Sequence, residues 1–310
     1  MTDQALAYLD RRGPAAESEA PLFFYLSFDA PHPGFIVPPG FEDRYDPADI
    51  PDRPLADDID AVYDHAFISL EPMQELKEIW KHKTPEQRRM ATLRYYALCT
   101  YADQQFGRAL DRLESLGYLD DALIVFTSDH GEMLGDRHHR FCKMGLYEGS
   151  IRVPLILAGS AIPESARGTV DARPAELVDL LPTLLSAAGV PQVPELAGVD
   201  LLGRDRRPGS FAEYHGEGYE PQQMGPAYMY RTPRWKLILA LPTLAADAPF
   251  SFDKAHGELY DLQADPLEID NRYPNPEDRE VREAMTRDLL LHVMASFGRH
   301  PYRPSHQPLQ

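Results

Sequence analysis

Ile124-Val-Phe-Thr-Ser-Asp-His-Gly-Glu-Met-Leu-Gly135, followed by Lys143 and then by Arg152-Val-Pro-Leu-Ile-Leu157, decides the fold class of this chain. An apolar run breaks off at Asp129 and His130, so a hard oxygen and an imidazole are delivered side by side at the end of a strand. In open α/β sheets, ligands bind where strands end. Gly131 has no Cβ, which lets backbone and ligand come close at that turn. Lys143, a dozen residues on, can reach the same place and offer its charge to an anion. Read without context, Asp129 would cap a turn and His130 would be a hydrogen-bonded histidine; the surrounding residues favour a site.

Working outward, the pattern is that of an α/β protein. Met1 to Arg12 reads as a short amphipathic helix. Leu22 to Phe28 is a continuous apolar and aromatic run, as in a strand buried on both faces. It stops at Asp29-Ala-Pro-His-Pro33, where two prolines end any sheet pairing. Residues 34 to 85 are rich in Pro and Asp and read as a long surface excursion, a kind that is often functional. From Arg88 to Gly117 the apolar positions Leu93, Tyr96, Ala97, Thr100, Phe106, Leu110, Leu113 and Leu116 fall at helical spacing, with Gly117 suited to the cap. Ala122 to Thr127 and Val153 to Ala158 are expected as buried strands. A helix or a pair of helical turns, interrupted at Pro182 and ended by Gly189, is expected between Arg173 and Gly189. This order predicts a sheet covered by helices.

Composition shifts after Gly203-Arg-Asp-Arg-Arg-Pro208. Ala227 to Thr232 and Trp235 to Leu241 flank Pro233-Arg234 as a hairpin, and Glu258-Leu-Tyr-Asp-Leu262 follows. The last helix is well signalled, with Asn275 as N-cap, Pro276 at the first position and acidic residues in the first turn. Val281, Met285, Leu289 and Val293 supply its packing face. The expected division is 1–205 for the main α/β core and 206–310 for a small α+β subdomain.

The 310 residues carry a net charge of −18, with 43% apolar and 26% charged residues. That surface repels phosphate backbones and anionic bilayers, so neither nucleic acid nor a membrane is an expected partner. Cys99 and Cys142 are the only cysteines. Without paired spacing they give neither a disulfide framework nor a zinc ribbon. With no secretory h-region at the start, they point to reduced thiols and a cytoplasmic location for the chain as it stands. A periplasmic or secreted form of a longer protein stays open.

Thr127-Ser-Asp-His-Gly-Glu-Met-Leu-Gly-Asp136, Lys143-Met-Gly-Leu-Tyr-Glu148 and Ile151-Arg-Val-Pro-Leu155 closely resemble, in unbroken order, the second metal-binding motif of the sulfatase family. That family lies in the alkaline-phosphatase-like superfamily of ester hydrolases. Asp29-Ala-Pro-His-Pro33 resembles the family's Pro-His segment. The helix around Arg94 to Gly107 and the segment Glu258 to Asn271 are similar to further parts of it. The resemblance implies an alkaline-phosphatase-like mixed sheet flanked by helices, with Asp129 and His130 as metal ligands. It also implies that Lys143 contacts the sulfate and stabilises charge on the leaving oxygen, and that His32 protonates the leaving group. Many sulfatases have Asn where His130 stands, so His130 looks more like choline-sulfatase-like and phosphonate-monoester-hydrolase-like members.

The family's nucleophile motif, Cys or Ser-x-Pro-x-Arg, does not occur in these residues, and neither Cys99 nor Cys142 is set in it. The expectation is a metal-dependent sulfate ester hydrolase seen as its rear portion, incomplete at the N-terminus, with unpaired core strands that promote self-association. The divalent metal is open among Ca, Mn, Mg and Zn. Two alternatives stand beside it: a phosphonate or phosphate ester hydrolase of the same superfamily, and a non-catalytic remnant or binding subunit.

Overall fold

The computed structural model describes residues 1–53, 79, 81–143, 145–205, 207–214, 226–240 and 256–298. They fall into two units. The first holds the described residues of Met1–Ile59, Lys77–Lys143 and Val153–Gly168; the second holds those of Met144–Arg152 and Thr169–Gln310.

The first unit is organised by a long helix. Helix α1 spans Thr2–Arg12 and packs on α2, Pro85–Ser115. Helix α2 starts three residues before the apolar spacing does, because Thr84-Pro-Glu-Gln87 is a capping box. The Thr84 hydroxyl accepts from the Gln87 N–H at 3.3 Å, and the Gln87 side chain accepts from the Thr84 N–H at 2.9 Å. Pro85 sits at the first position, where no helical N–H is needed. Leu93, Ala97, Leu98 and Ala109 form the buried face. At the other end Gly117 adopts φ 76°, which lets the Tyr118 N–H close back on the Leu113 carbonyl at 2.9 Å.

Strands β1 (Leu123–Thr127) and β2 (Leu155–Gly159) pair antiparallel, with Val125 opposite Leu157. Two expectations need correction. The run Leu22–Phe28 forms no ladder among the described residues; its side chains alternate, with Phe23 75% and Tyr25 80% exposed. Strands β1 and β2 are half-buried, and Ile156 is exposed. A strand is buried on both faces only where neighbours pair along its edges and other elements cover both sides. The single-turn helix α3, Asp136–His139, follows β1.

In the second unit, helix α4 is a single turn, Glu148–Ile151, and α5 spans Leu180–Ala187. A 3-10 turn, Leu177–Asp179, leads into α5. Pro182 therefore opens α5 and does not interrupt it, since first-turn N–H groups have no helical acceptor to lose. The fully buried Asp179 accepts from the Glu176 and Val199 N–H groups at 2.8 Å and pairs with Arg207. This closure depends on Gly198, where an added Cβ would lie 2.1 Å from the Val178 carbonyl oxygen. We expect Gly198→Ala to cost about 3 kcal/mol in urea unfolding, as overpacking against backbone does. Gly107→Ala, mid-helix with nothing near the new methyl, should be neutral or stabilising by roughly 0.5–1 kcal/mol. Equal effects at the two positions would refute the packing argument.

Strands β3 (Ser210–Tyr214), β4 (Ala227–Arg231), β5 (Trp235–Ala240) and β6 (His256–Asp261) form an antiparallel meander in chain order. The expected hairpin is β4–β5, closed by the Thr232 N–H on the Trp235 carbonyl. Leu241, the last residue of that expectation, lies outside the described residues. Helix α6, Arg279–Gly298, follows a 3-10 turn capped by Asn275, whose side chain accepts from the Glu277 N–H. Met285 and Leu289 bury themselves with Tyr230, Leu237 and Leu259, and Val281 and Val293 flank that cluster. Each such aliphatic side chain contributes about 1.5–3 kcal/mol on full burial.

Candidate active site

All four residues singled out from the sequence lie in the first unit. Strand β1 ends at Thr127, whose hydroxyl donates to the Pro154 carbonyl at 2.8 Å and holds the strand end against the chain entering β2. The backbone then turns. Ser128 Oγ donates to the His130 carbonyl at 2.8 Å, and the His130 N–H donates to Asp129 Oδ1 at 2.9 Å. This local turn sets the Asp129 carboxylate beside the His130 ring, with Oδ2 3.4 Å from Nε2.

The tautomer follows from the other ring nitrogen. His130 Nδ1 lies 2.9 Å from the Gly131 carbonyl, which can only accept, so Nδ1 carries the proton. In the neutral ring, Nε2 then turns a lone pair toward a carboxylate oxygen. Acceptor facing acceptor is unfavourable, and either a proton on Nε2 or a metal ion between the two atoms relieves it. An ion about 2.1 Å from each atom would see them at roughly 110°, and one about 2.4 Å away at about 90°. These donors thus fit one divalent ion, and their separation suits both small and larger ions. Two donors are fewer than a tight site uses, and among the described residues no group of three His, Cys, Asp or Glu is placed to hold a metal. For Asp129, burial raises the carboxyl pKa, but the protonated form of His130 and backbone N–H groups outweigh it and leave the acid below its ordinary range.

His32 arrives from the Asp29–Pro33 turn, where its N–H donates to the Asp29 carbonyl at 2.8 Å. Its Nδ1 lies 3.2 Å from the Pro33 carbonyl, so Nε2 again presents the lone pair. Here a donor faces it: Lys143 Nζ stands 3.4 Å away. Two polar side chains 111 positions apart in sequence are thus brought to hydrogen-bonding range.

Glu132 was not singled out from the sequence, and it ties this arrangement together. It is buried, with 8% of its surface exposed. Its Oε1 accepts from the Cys142 N–H, and the Met133 N–H donates to the Cys142 carbonyl at 3.2 Å. The turn after β1 is therefore clamped to the residue immediately before Lys143. Burial raises the Glu132 carboxyl pKa and outweighs the N–H groups of Cys142 and Leu134 that oppose it. The sequence signal available for it was a carboxylate two positions past His130 in an otherwise apolar stretch.

Comparison with known proteins supplies the family. The sulfatase family model matches residues 1–190, and the model for the C-terminal region of N-sulphoglucosamine sulphohydrolase matches residues 136–294. The chain is 30% identical to choline-sulfatase of Rhizobium meliloti (strain 1021), over 100% of the chain and 62% of the relative. It is 28% identical to arylsulfatase K of Bos taurus, over 97% and 56%. Among solved structures it is similar to the phosphonate monoester hydrolase of Silicibacter pomeroyi, at TM-score 0.76 and 27% identity over 95% of this chain and 59% of that one. The phosphonate monoester hydrolase of Agrobacterium radiobacter gives 0.75 and 25% over 95% and 60%. The chain thus spans about three fifths of the length of these relatives. The described fold is the alkaline-phosphatase-like α/β fold of those neighbours, and no described helix is long and apolar enough to cross a membrane. On the match over its first 190 residues, joined to the strand-end geometry above, the chain belongs to the sulfatase family.

Proposed function

We propose that this protein binds sulfate esters for metal-dependent hydrolysis and that these residues supply the leaving-group side of the reaction. The observation that carries the reading is the 3.4 Å approach of Lys143 to His32 in the unit that holds Asp129 and His130. A divalent ion held by Asp129 and His130 would polarise the sulfate oxygens. Lys143 places its positive charge where the ester oxygen becomes negative as the S–O bond breaks. His32 Nε2, once protonated, gives its proton to that oxygen and so releases a neutral alcohol. Glu132 holds the turn that carries Lys143 to this position.

The attacking oxygen has no counterpart in these residues, which lack the family's nucleophile motif. The chain by itself is therefore expected to bind an aryl sulfate with Mn²⁺ or Ca²⁺ present and to turn it over negligibly. Calorimetry with p-nitrocatechol sulfate, beside an absorbance assay, tests this. Lys143→Ala should weaken binding about tenfold, or ~1.4 kcal/mol, the scale of a charge-assisted hydrogen bond. Robust metal-dependent turnover, or unchanged affinity in the variant, would contradict the reading.

Hydrolysis of a phosphonate or phosphate ester is the second reading, favoured by the likeness to two phosphonate monoester hydrolases. Tetrahedral oxyanions of sulfur and phosphorus fit the same donors, so competition between phenyl phosphonate and aryl sulfate for the site decides it. The missing nucleophile motif favours a third, a subunit that binds such anions without cleaving them.

A further inference from the structure

We propose that Cys142 is a positioning residue, whose left-handed backbone aims Lys143 at His32. The inference rests on the reading above that Lys143 offers its charge to the leaving oxygen. Cys142 has φ 74°, a region where an L side chain crowds its own peptide and which residues other than glycine, asparagine and aspartate seldom enter. Such a conformation persists only where the surroundings over-determine it, and it concentrates where a site needs it. Leu134 and Arg137 are left-handed too, at 47° and 51°, but of the three only Cys142 adjoins a residue of the candidate site.

Here the surroundings act from both sides of the Cys142 Cα. Its N–H donates to Oε1 of the buried Glu132, and its carbonyl accepts from the Met133 N–H at 3.2 Å. Further out, the Gly135 N–H donates to the Arg140 carbonyl at 2.6 Å and the Asp136 N–H to the Met133 carbonyl at 2.8 Å. Met133 and Phe141, one on each arm of this closed loop, are both buried, so apolar packing holds the arms down as well. With the N–H before Cα and the C=O after it both held, φ and ψ of Cys142 are fixed together. They set the direction in which the chain runs into Lys143, whose Nζ stands 3.4 Å from His32 Nε2. An ordinary φ near −63° would swing everything beyond the N–Cα bond by roughly 140° and take Lys143 away from His32.

Cys142→Gly and Cys142→Val separate aiming from general packing, because glycine adopts this φ freely and a β-branched side chain opposes it. In ligand-free protein with labelled lysine and histidine, an NOE between the Lys143 Cε protons and the His32 ring is expected in wild type. Cys142→Gly should keep it and Cys142→Val should lose it; Cys142→Thr, with the same branching, serves where valine prevents folding. Mn²⁺ affinity should be equal in all of them, since Asp129 and His130 are untouched. With Mn²⁺ present, p-nitrocatechol sulfate should bind Cys142→Gly as it binds wild type. It should bind Cys142→Val about tenfold more weakly, the loss expected of Lys143→Ala, and adding Lys143→Ala to Cys142→Val should cost nothing more. An NOE that survives in folded Cys142→Val and Cys142→Thr, or that vanishes in Cys142→Gly, would overturn the aiming role. Equal aryl sulfate affinity in all the variants, beside the expected NOE pattern, would instead sink the part given to Lys143 and uphold the aiming by Cys142.

Discussion

Replacing Lys236 with methionine is expected to cost about 3–5 kcal/mol of the stability of the unit that carries β3–β6. Lys236 lies on β5 with no exposed surface, yet its ammonium stands 2.7 Å from Glu268 and 3.3 Å from Glu148. Arg231 completes the cluster by donating to both Glu148 oxygens, at 2.9 and 3.2 Å. Methionine fills the stem's volume but leaves the buried Glu268 and the half-buried Glu148 without that charge, which is the costly way to break a buried pair. Adding Glu268→Gln should return part of the loss, because the two residues form one network.

The pH dependence carries a sign that can be checked. For Glu148, burial raises the carboxyl pKa, but Lys236 and Arg231 outweigh it and hold it below 4.5. Its share of stability is therefore present above 4.5 and is lost as pH falls through the lower folded value. For Glu268, burial wins over Lys236 and the carboxyl sits above 4.5, so its contribution is greatest in acid and declines as pH rises. Without Lys236, folding must protonate Glu268 at still higher cost. The deficit of Lys236→Met should thus be larger at pH 8 than at pH 5 in urea unfolding. A deficit that shrinks with rising pH would contradict the assignment.

Asp129→Ala and His130→Ala are each expected to lower Mn²⁺ affinity more than about a hundredfold, since even partners one shell out from a metal are worth 10–100-fold. With two donors the wild-type affinity itself should be modest. It should also fall in acid, because metal competes with protons for the carboxylate and for Nε2. Calorimetry at pH 7.5 and pH 5 reads both effects. Loss of binding in Asp129→Ala with full retention in His130→Ala would break the shared-ion geometry.

The elements that announce themselves locally were legible from sequence. Asn275-Pro276 gave the start of the last helix, Val281 to Val293 its buried face, and Gly117 the end of α2. The start of α2 was written in Thr84-Pro-Glu-Gln87 but is obscured by a polar first turn. The run Leu22–Phe28 misled because apolarity says that a segment can be buried, not that a partner strand lies beside it. Strand β3 carries no turn signal strong enough to mark it, and its identity comes from pairing with β4. In the candidate site, Asp129 and His130 could be singled out because they are adjacent, and His32 and Lys143 because each lies in a motif. Glu132 could not: its role arises from a clamp to Cys142, and only the folded turn shows that contact.

The central claim is that Asp129, His130, Lys143 and His32 serve one metal-and-anion pocket, and Mn²⁺ bound to the protein tests it most directly. Pulsed EPR of that ion should show coupling to one imidazole nitrogen that disappears in His130→Ala, and the same Mn²⁺ should relax the ring protons of an aryl sulfate, with about tenfold more ligand needed for the same effect in Lys143→Ala. Bound Mn²⁺ without imidazole coupling, or an aryl sulfate whose protons relax with the same concentration dependence in both proteins, would contradict it.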